Sequence, residues 1–208
     1  MSAAGATAVA PGRYVGPRAR LLAAGLALLV ERGDTSYTIE ELVRRAGVAI
    51  KTFYRAFPNK DEFCTAVFVD AVAGSVPDVR AQIMASTDDP MERLRLAVTR
   101  SLDADGADDR FRRVLANEHM RIAATSPQAI AETGRAYQGL VRELVRDAAA
   151  AGLVHPVDLD WDVYIITAMV TTSYHALVLG LGEPDRAALA DNVWRFCRTA
   201  LHGTPADL

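Results

Sequence analysis

The sequence predicts an all-α fold of about nine helices, with a small N-terminal three-helix head and a larger C-terminal helical body. Apolar residues recur at three- and four-residue spacing between helix breakers, which is the period of an amphipathic helix. No strand pattern stands out beside it. Half of the 208 residues are hydrophobic and 24% are charged, so the chain can bury a sizeable core.

The chain is expected to begin with a disordered arm over residues 1–16. These residues are small and polar and are interrupted by glycine and proline, which argues against a secretory signal. A first helix is then predicted from Pro17 to Arg32. Proline is favoured at the first helical position, and Gly33 provides the C-terminal stop.

Two short helices are predicted next. Thr38 and Glu41 form a capping box, in which the threonine oxygen and the glutamate carboxylate bind backbone N–H groups reciprocally. Gly47 permits the positive φ of a sharp helix–helix corner. The third helix is expected over 49–57, closed by Pro58.

The body is expected to continue as helices to the end of the chain. A long helix begins at Lys60, with Asp61 and Glu62 at its positive end. The body helices are predicted at 60–74, 77–86, 90–104, 108–124, 127–151, 158–181 and 184–202. The predicted domains are the arm at 1–16, the head at 17–60 and the body at 61–208.

The net charge of −3 is distributed unevenly. Residues 1–60 carry nine basic and four acidic side chains, whereas the remainder carries 14 basic and 22 acidic. A basic head on an acidic body indicates that the head meets a polyanion.

The two short helices and their glycine corner predict a helix-turn-helix. The second of them carries Lys51, Thr52, Tyr54 and Arg55. A helix fits the DNA major groove, where side chains near its N-terminus reach base edges while its flanks contact phosphates. Helix lengths alone would indicate this weakly, because glycine corners between helices are common.

The segment from Thr38 to Phe63 resembles the DNA-binding signature of the tetracycline-repressor (TetR) family. Four features carry the resemblance, in the family's order and spacing. They are the Thr38 cap, the turn Ala46-Gly47-Val48, the recognition-helix residues Thr52-Phe53-Tyr54 and the exit Phe57-Pro58-Asn59-Lys60-Asp61. Beyond the head, the chain resembles the family only in length and helix count.

The resemblance implies a homodimeric, ligand-responsive transcriptional regulator, usually a repressor. Because two recognition helices must reach successive major grooves, the expected operator is an inverted repeat. A cytoplasmic location is expected because the two cysteines, 133 positions apart, exclude a disulfide scaffold and suit a reducing cytosol. By position, base edges would be met by Lys51, Thr52 and Arg55, with Ile50 as an apolar contact. Phosphates would be held by Thr38, Tyr54 and Lys60.

Two positions depart from the family pattern. Ala49 stands where a serine that caps the recognition helix is often found. Lys51 stands where glycine or another small residue is common, so an unusual base preference is expected. Additional contacts are expected from Arg18 and Arg20 to phosphates, and from Arg13 to a minor groove.

Structural roles compete with DNA contacts for several neighbouring residues. Phe53 and Phe57 are interpreted as core residues of the head. Arg44 and Arg45 are interpreted as a solvated face, and Lys60 has solvation before a helix as its alternative role.

The segment Val163–Gly182 has no charged residue and is long enough to cross a membrane. Its polar middle, from Thr171 to His175, favours a buried helix instead. Because the helix is apolar on more than one face, it must be covered all round, and a partner subunit is the natural cover. The last two helices are therefore predicted to form an isologous four-helix interface. Its predicted residues are Tyr174, Leu177, Leu181, Ala187, Ala190, Trp194, Cys197 and Leu201.

A small-molecule effector is expected to bind an apolar pocket with a few polar anchors in the body. The candidate residues are Phe68, Met84, His119, Tyr137, Met169 and His175. Ordinary core packing is the alternative for each of them. The apolar candidates favour a hydrophobic effector.

Two other classes of protein agree less well with the sequence. An enzyme is disfavoured because the four histidines are dispersed and the sequence lacks a Gly-rich phosphate loop and the common catalytic motifs. No metal site or cofactor is predicted, and Cys64 and Cys197 are interpreted as small buried hydrophobes. An architectural DNA binder is disfavoured because wrapping DNA needs a broad positive surface, whereas the body is acidic.

Overall fold

The structure, a computed structural model, describes residues 16–103, 109–182 and 185–202. These residues form ten helices and no strand, which confirms the all-α class. The helices are α1 (Pro17–Arg32), α2 (Ile39–Ala46), α3 (Ile50–Ala56), α4 (Lys60–Ala73), α5 (Val76–Ser86), α6 (Pro90–Asp103), α7 (Asp109–Thr125), α8 (Pro127–Ala150), α9 (Leu159–Leu179) and α10 (Arg186–Leu201). The predicted arm, apart from Gly16, lies outside the described residues.

Local signals in the sequence set most helix ends. Gly33 ends α1 in the left-handed region at φ 77°, and its N–H donates to the Leu29 carbonyl at 2.9 Å. The third helix is one residue shorter at each end than the predicted 49–57, because Ala49 and Phe57 have extended backbones. An extended residue at the N-cap is the usual entry to a helix.

The chain divides into two compact units, and the described part of unit one comprises residues 16–74 and 109–132. In this unit α1 packs against α2 and α4, and α7 packs against both α1 and α4. Its core is aromatic at the centre. The fully buried large side chains of the unit include Leu21, Tyr37, Leu42, Phe53, Phe63 and Ile122.

Unit two is described over residues 75–103, 133–182 and 185–202. Here α6 packs against α9 and α10, which also pack against each other. The core is aliphatic and includes Leu94, Val98, Leu144, Val163 and Leu201.

The compact units differ in extent from the predicted domains. Unit one continues past residue 60 through α4 and takes in α7, because both helices pack on α1. The predicted boundary at 60/61 separates a DNA-binding head from the body by their functions, and it stays a prediction.

Helix α9 alone among the helices within the described residues is long and apolar enough to cross a membrane. This is weak evidence for a span, because a core helix of a soluble protein satisfies the same criteria. One face of α9, including Val163, Ile166 and Val170, is buried in the core of unit two. Trp161 and Ile165 are exposed on the same helix.

Candidate nucleic-acid interface

Helix α3 presents a mixed basic and apolar surface to solvent. Lys51 and Arg55 are exposed, and so are 43% of Ile50 and 55% of Tyr54. Phe53 on the same helix is fully buried. One face of α3 is therefore fixed in the core of unit one, while the other carries the donors and apolar groups that suit a DNA groove.

An aromatic cluster fixes the orientation of α3. The Phe53 ring contacts Phe57 at a centroid distance of 5.8 Å and Phe63 of α4 at 5.5 Å. Tyr54 stands edge-on to Phe53, with ring centroids 5.3 Å apart at 88°. These contacts confirm Phe53 and Phe57 as core residues, and they restrain the exposed Tyr54 ring from one side.

The corner between α2 and α3 depends on two sequence features. Thr38 caps α2, and its hydroxyl oxygen accepts from the Glu41 N–H at 3.1 Å. Gly47 takes φ 62° and its N–H donates to the Arg44 carbonyl at 3.3 Å, while Val48 donates to Val43 at 3.0 Å. A side chain at position 47 would be strained, because φ lies in the left-handed region.

The second half of the predicted capping box differs from expectation. The Glu41 carboxylate accepts from the Arg32 guanidinium of α1 rather than from the α2 backbone. Glu31 of α1 likewise binds Arg45 of α2, with one N–O distance of 2.6 Å. Two ion pairs thus join the end of α1 to α2, one with its carboxylate on α1 and the other with its carboxylate on α2. Arg45 is therefore a surface residue that is held in an ion pair.

Lys60 lies at the start of α4 in an unexpected environment. Its ammonium donates to the Thr35 carbonyl at 2.5 Å and lies 5.0 Å from the ring centroid of Tyr37. The Tyr37 hydroxyl is 3.6 Å from the Cys64 sulfur, and either atom can donate. Burial raises the pKa of the Tyr37 phenol and is also the largest cause of the raised pKa of the Cys64 thiol.

The other predicted DNA contacts are placed as follows. Thr52 is half-buried on α3, and Thr38 is exposed. The Arg18 guanidinium lies 5.1 Å from the centroid of the Phe57 ring, so it is held beside α3. Arg20 is exposed and reaches the corner, since a Cβ added at Gly47 would meet its guanidinium at 3.8 Å. Arg13 lies outside the described residues.

The candidate effector residues fall into both units. In unit one Phe68 is buried and stacks on His119 of α7, with ring centroids 6.0 Å apart at 14°. Burial lowers the pKa of His119. In unit two Met84, Tyr137 and Met169 pack against the aliphatic core.

Tyr137 has a specific polar partner in unit two. Its hydroxyl donates to the Ala97 carbonyl at 2.8 Å, and burial raises the pKa of the phenol. His175 lies next to Tyr174 on α9, with ring centroids 5.9 Å apart.

Neither of two open cavities within the described residues is lined by any of the six effector candidates. A cleft of about 760 Å³ in unit one lies between α1, α4 and the α7–α8 region, and its lining includes Arg18, Asp61 and Arg121. A groove of about 340 Å³ in unit two is lined in part by Trp194 and Arg198.

The predicted interface residues differ in how much surface they offer. Leu181 and Ala187 are exposed, and Tyr174, Leu177 and Trp194 are half-buried. Ala190, Cys197 and Leu201 are buried in the core of unit two. Burial raises the pKa of Cys197 to about 11, and both cysteines are free.

Several exposed aromatic and aliphatic residues on α9 and α10 are not among the predicted interface residues. Trp161 is 64% exposed and Phe196 is 59% exposed, and Tyr164 and Ile165 are about half exposed. Trp161 and Tyr164 meet edge to face at 5.6 Å. Tyr164 and Ile165 follow Trp161 by three and four residues, a spacing that places all three on one face of a helix. The sequence did not single out this face, because α9 is apolar on several faces.

Metal ligands do not converge within the part of the chain that the structure describes. No group of three or more His, Cys, Asp or Glu side chains with the geometry to hold a metal ion is found there.

Comparison with protein families gives two matches. Residues 21–67 match the family described as "Bacterial regulatory proteins, tetR family". Residues 87–201 match the family described as "Tetracyclin repressor-like, C-terminal domain". The second match alone covers more than half of the chain.

Among curated proteins, the chain is 33% identical over 116 residues to the HTH-type transcriptional activator FasR of Mycolicibacterium smegmatis. The match covers 55% of this chain and 51% of that protein, so the chain spans about half the length of this relative.

Solved structures share the fold at low sequence identity. Thermus thermophilus FadR, a TetR-family repressor solved with lauroyl-CoA, is 18% identical, with 92% of this chain and 99% of that chain covered and a TM-score of 0.71. Bacillus subtilis FadR, solved with stearoyl-CoA, is also 18% identical, with 88% and 98% covered and a TM-score of 0.57.

Proposed function

Because the chain belongs to the TetR family of bacterial transcriptional regulators, which are DNA-binding proteins and not enzymes, we propose that it is a ligand-responsive repressor. It binds an inverted-repeat operator as a homodimer in the cytoplasm, and a small hydrophobic effector releases it. The observation that carries this proposal is the exposed Lys51, Tyr54 and Arg55 on a helix anchored by the buried Phe53.

The residues of α3 divide into base and phosphate contacts. Lys51, Thr52 and Arg55 meet base edges in the major groove, and Ile50 offers an apolar surface suited to a thymine methyl. Tyr54 donates to a phosphate, with Thr38 and Lys60 doing the same from the start of α2 and α4.

A homodimer is proposed because two recognition helices must reach successive major grooves roughly 34 Å apart. The exposed Trp161, Ile165 and Phe196 support a partner at α9 and α10, since large apolar side chains on adjacent helices mark interaction surfaces. The interface is proposed to include these three residues together with Tyr174, Leu177, Leu181, Ala187 and Trp194. Ala190, Cys197 and Leu201 support it from within the protomer core.

The DNA proposal is tested by selecting preferred duplexes from a random pool and measuring the affinity of variants for the selected sequence. Lys51→Ala is expected to relax base choice at one position and to cost about 1–3 kcal/mol if the contact is bidentate. Arg146→Ala, an exposed change in unit two, is the control and leaves binding unchanged. Failure of the wild type to enrich any sequence would contradict the proposal.

The effector is proposed to be a hydrophobic small molecule, with fatty acyl thioesters as the first class to test. The structural neighbours solved with lauroyl-CoA and stearoyl-CoA support this choice. Met84, Tyr137 and Met169 around the core of unit two are the candidate lining. A thermal-shift series of acyl-CoA esters of increasing chain length, with free coenzyme A as control, tests it. Stabilisation by highly charged compounds alone would contradict an apolar pocket.

Effector release requires that the effector bind the operator-free conformation more tightly. We propose that effector binding tilts α4 and thereby changes the separation of the two heads in the dimer. The measurement is effector affinity for the free and the operator-bound protein. Equal affinities would exclude this coupling.

Activation is the second candidate, because the curated relative FasR is named as an activator. The two alternatives share the DNA interface and differ in the effect of the bound protein on transcription. In vitro transcription from a promoter that carries the selected operator distinguishes them. A repressor lowers the transcript yield, whereas an activator raises it.

A further inference from the structure

Tyr37 is a buried tyrosine in the loop before α2. Only 1% of it is exposed, although a loop of this kind is usually solvated. Its hydroxyl lies 3.6 Å from the Cys64 sulfur of α4, so the phenol group is fixed at its far end. The Tyr37 ring is therefore fixed between the loop and α4.

The Lys60 ammonium lies over the face of the Tyr37 ring. It lies 5.0 Å from the ring centroid and donates one hydrogen bond, to the Thr35 carbonyl at 2.5 Å. Within the described part of the chain, no carboxylate forms an ion pair with it. The ammonium is thus held in place without an ion pair to neutralise its charge.

An ammonium group has three N–H donors. The Thr35 carbonyl uses one, and the ring face attracts the cation through its quadrupole without supplying a negative charge. Two donors and the full positive charge stay available to a phosphate. A carboxylate partner would hold the side chain equally well, but it would cancel the charge that a phosphate contact needs.

We propose that Tyr37 is a positioning residue for DNA binding, which holds the charged Lys60 ammonium at the start of α4 so that it meets a backbone phosphate. The inference rests on the proposed function, and it adds a residue that does not itself touch DNA. The partner is chemically the sugar-phosphate backbone, so the effect is independent of base sequence.

The test is the salt dependence of binding to a mixed-sequence duplex of about 30 base pairs, long enough for two successive major grooves. Lys60→Ala is expected to reduce the slope of log affinity against log salt by about 1, because one phosphate contact is lost. Tyr37→Leu is expected to weaken binding roughly threefold to tenfold, the range of a cation–π contact, and to reduce the slope in the same direction. Tyr37→Phe keeps the ring and is expected to keep the slope.

The double variant Tyr37→Leu/Lys60→Ala shows whether Tyr37 acts through Lys60. Binding no weaker than that of Lys60→Ala alone supports the inference. Additive losses of binding free energy in the double variant would overturn it, since Tyr37 would then act through the fold. An unchanged salt-dependence slope in Tyr37→Leu would also overturn it. If the wild type binds no duplex at low salt, the proposed function is wrong. If the wild type binds but the Tyr37 variants do not behave as stated, only the role of Tyr37 is wrong.

A variant that preserves packing keeps the inference testable if Tyr37→Leu does not fold. A trifluorinated phenylalanine at position 37 keeps the ring in place but removes the negative potential of its face. It is expected to reduce the slope relative to Tyr37→Phe while far-ultraviolet circular dichroism stays the same. Equal slopes for the two rings would overturn the inference.

Discussion

At the residue scale, Gly25 shows how closely α1 and α4 approach each other in unit one. A Cβ added to it would lie 2.6 Å from Cζ of Phe63 and 2.8 Å from a methyl carbon of Val67. Both side chains are buried in the core of unit one, and buried side chains in a close-packed core can shift only at a cost. The glycine is therefore required by packing, although glycine is unfavourable inside a helix.

Gly25→Ala is expected to destabilise the protein by about 1–3 kcal/mol, because overpacking outweighs the gain in helix propensity. Gly139→Ala is the matched control, since it lies in α8 with nothing within 4 Å of the added Cβ. The control is expected to stabilise by up to about 1 kcal/mol. Urea unfolding followed by circular dichroism measures both variants, and equal stability of the two would contradict the packing argument.

His119 is one of the residues whose environment makes stability depend on pH. Burial against α4 lowers its pKa in the folded state below the ordinary value of 6.5, so the unfolded chain binds a proton more readily. Stability therefore falls as the pH drops below about 6.5, toward the lowered folded-state pKa.

Replacing His119 by phenylalanine, which also stacks, is expected to remove part of this loss. The measurement is the difference in unfolding free energy between pH 7.5 and pH 5.5, compared between the wild type and His119→Phe. The exposed His202→Gln serves as control and is expected to behave as the wild type does. An unchanged pH dependence in His119→Phe would show that other groups cause it.

The core role of Phe53 and Phe57 could be predicted from the sequence, because Phe53 lies on the apolar face of a short helix and Phe57 follows it by four residues, directly after the helix end. The environment of Lys60 could not. Its partners Thr35 and Tyr37 lie in a loop, where no periodicity indicates which side chain turns inward.

At the scale of elements, helix boundaries follow from local chemistry and were predictable to within two residues. Pro17, Gly33 and Thr38 each act within one helical turn, so their effect needs no knowledge of the rest of the fold. The buried face of α9 was not predictable in the same way. A helix that is apolar all round fits a core from any side, so its neighbours decide which face is covered.

Helix α3 lacks the side-chain cap that the other short helix has. Ala49 occupies its N-cap with an extended backbone at φ −74° and ψ 149°, which is the geometry that a capping serine adopts. The first N–H groups of α3 consequently have no side-chain acceptor.

Ala49→Ser is expected to stabilise the protein by about 0.5–1 kcal/mol, because the serine oxygen would accept from the start of α3. Ala123→Ser, exposed in the interior of α7, is the control and is expected to cost a few tenths to about 0.5 kcal/mol. Chemical denaturation midpoints at constant slope measure both changes. A loss of stability at position 49 would mean that the extended backbone there serves another contact.

At the scale of the whole molecule, the division into two units differs from the division by sequence. The basic head ends near residue 60, but α7 also packs on α1 and α4 of the same unit. The contacts that join α7 to α4, such as Phe68 with His119, link residues far apart in the chain. No local pattern reports such pairs, so the sequence predicts the helices but not their assignment to units.

The oligomeric state is the property of the whole molecule on which the proposed operator geometry depends. Trp161 on α9 and Phe196 on α10 expose large apolar surfaces, and burying them against a second copy would supply the central contacts of an isologous interface. The double variant Trp161→Glu/Phe196→Glu is expected to be monomeric by light scattering, because each charge would be buried unpaired in the dimer.

Met120→Glu, which replaces an exposed apolar residue of α7 in unit one, is the matched control and is expected to keep the oligomeric state of the wild type. The monomeric variant is expected to bind an inverted repeat at least tenfold more weakly, while its affinity for a single half-site stays the same, since only the linkage of two heads is lost. A double variant that stays dimeric would place the interface on another surface. A monomer that keeps full affinity for the inverted repeat would contradict binding by two linked heads.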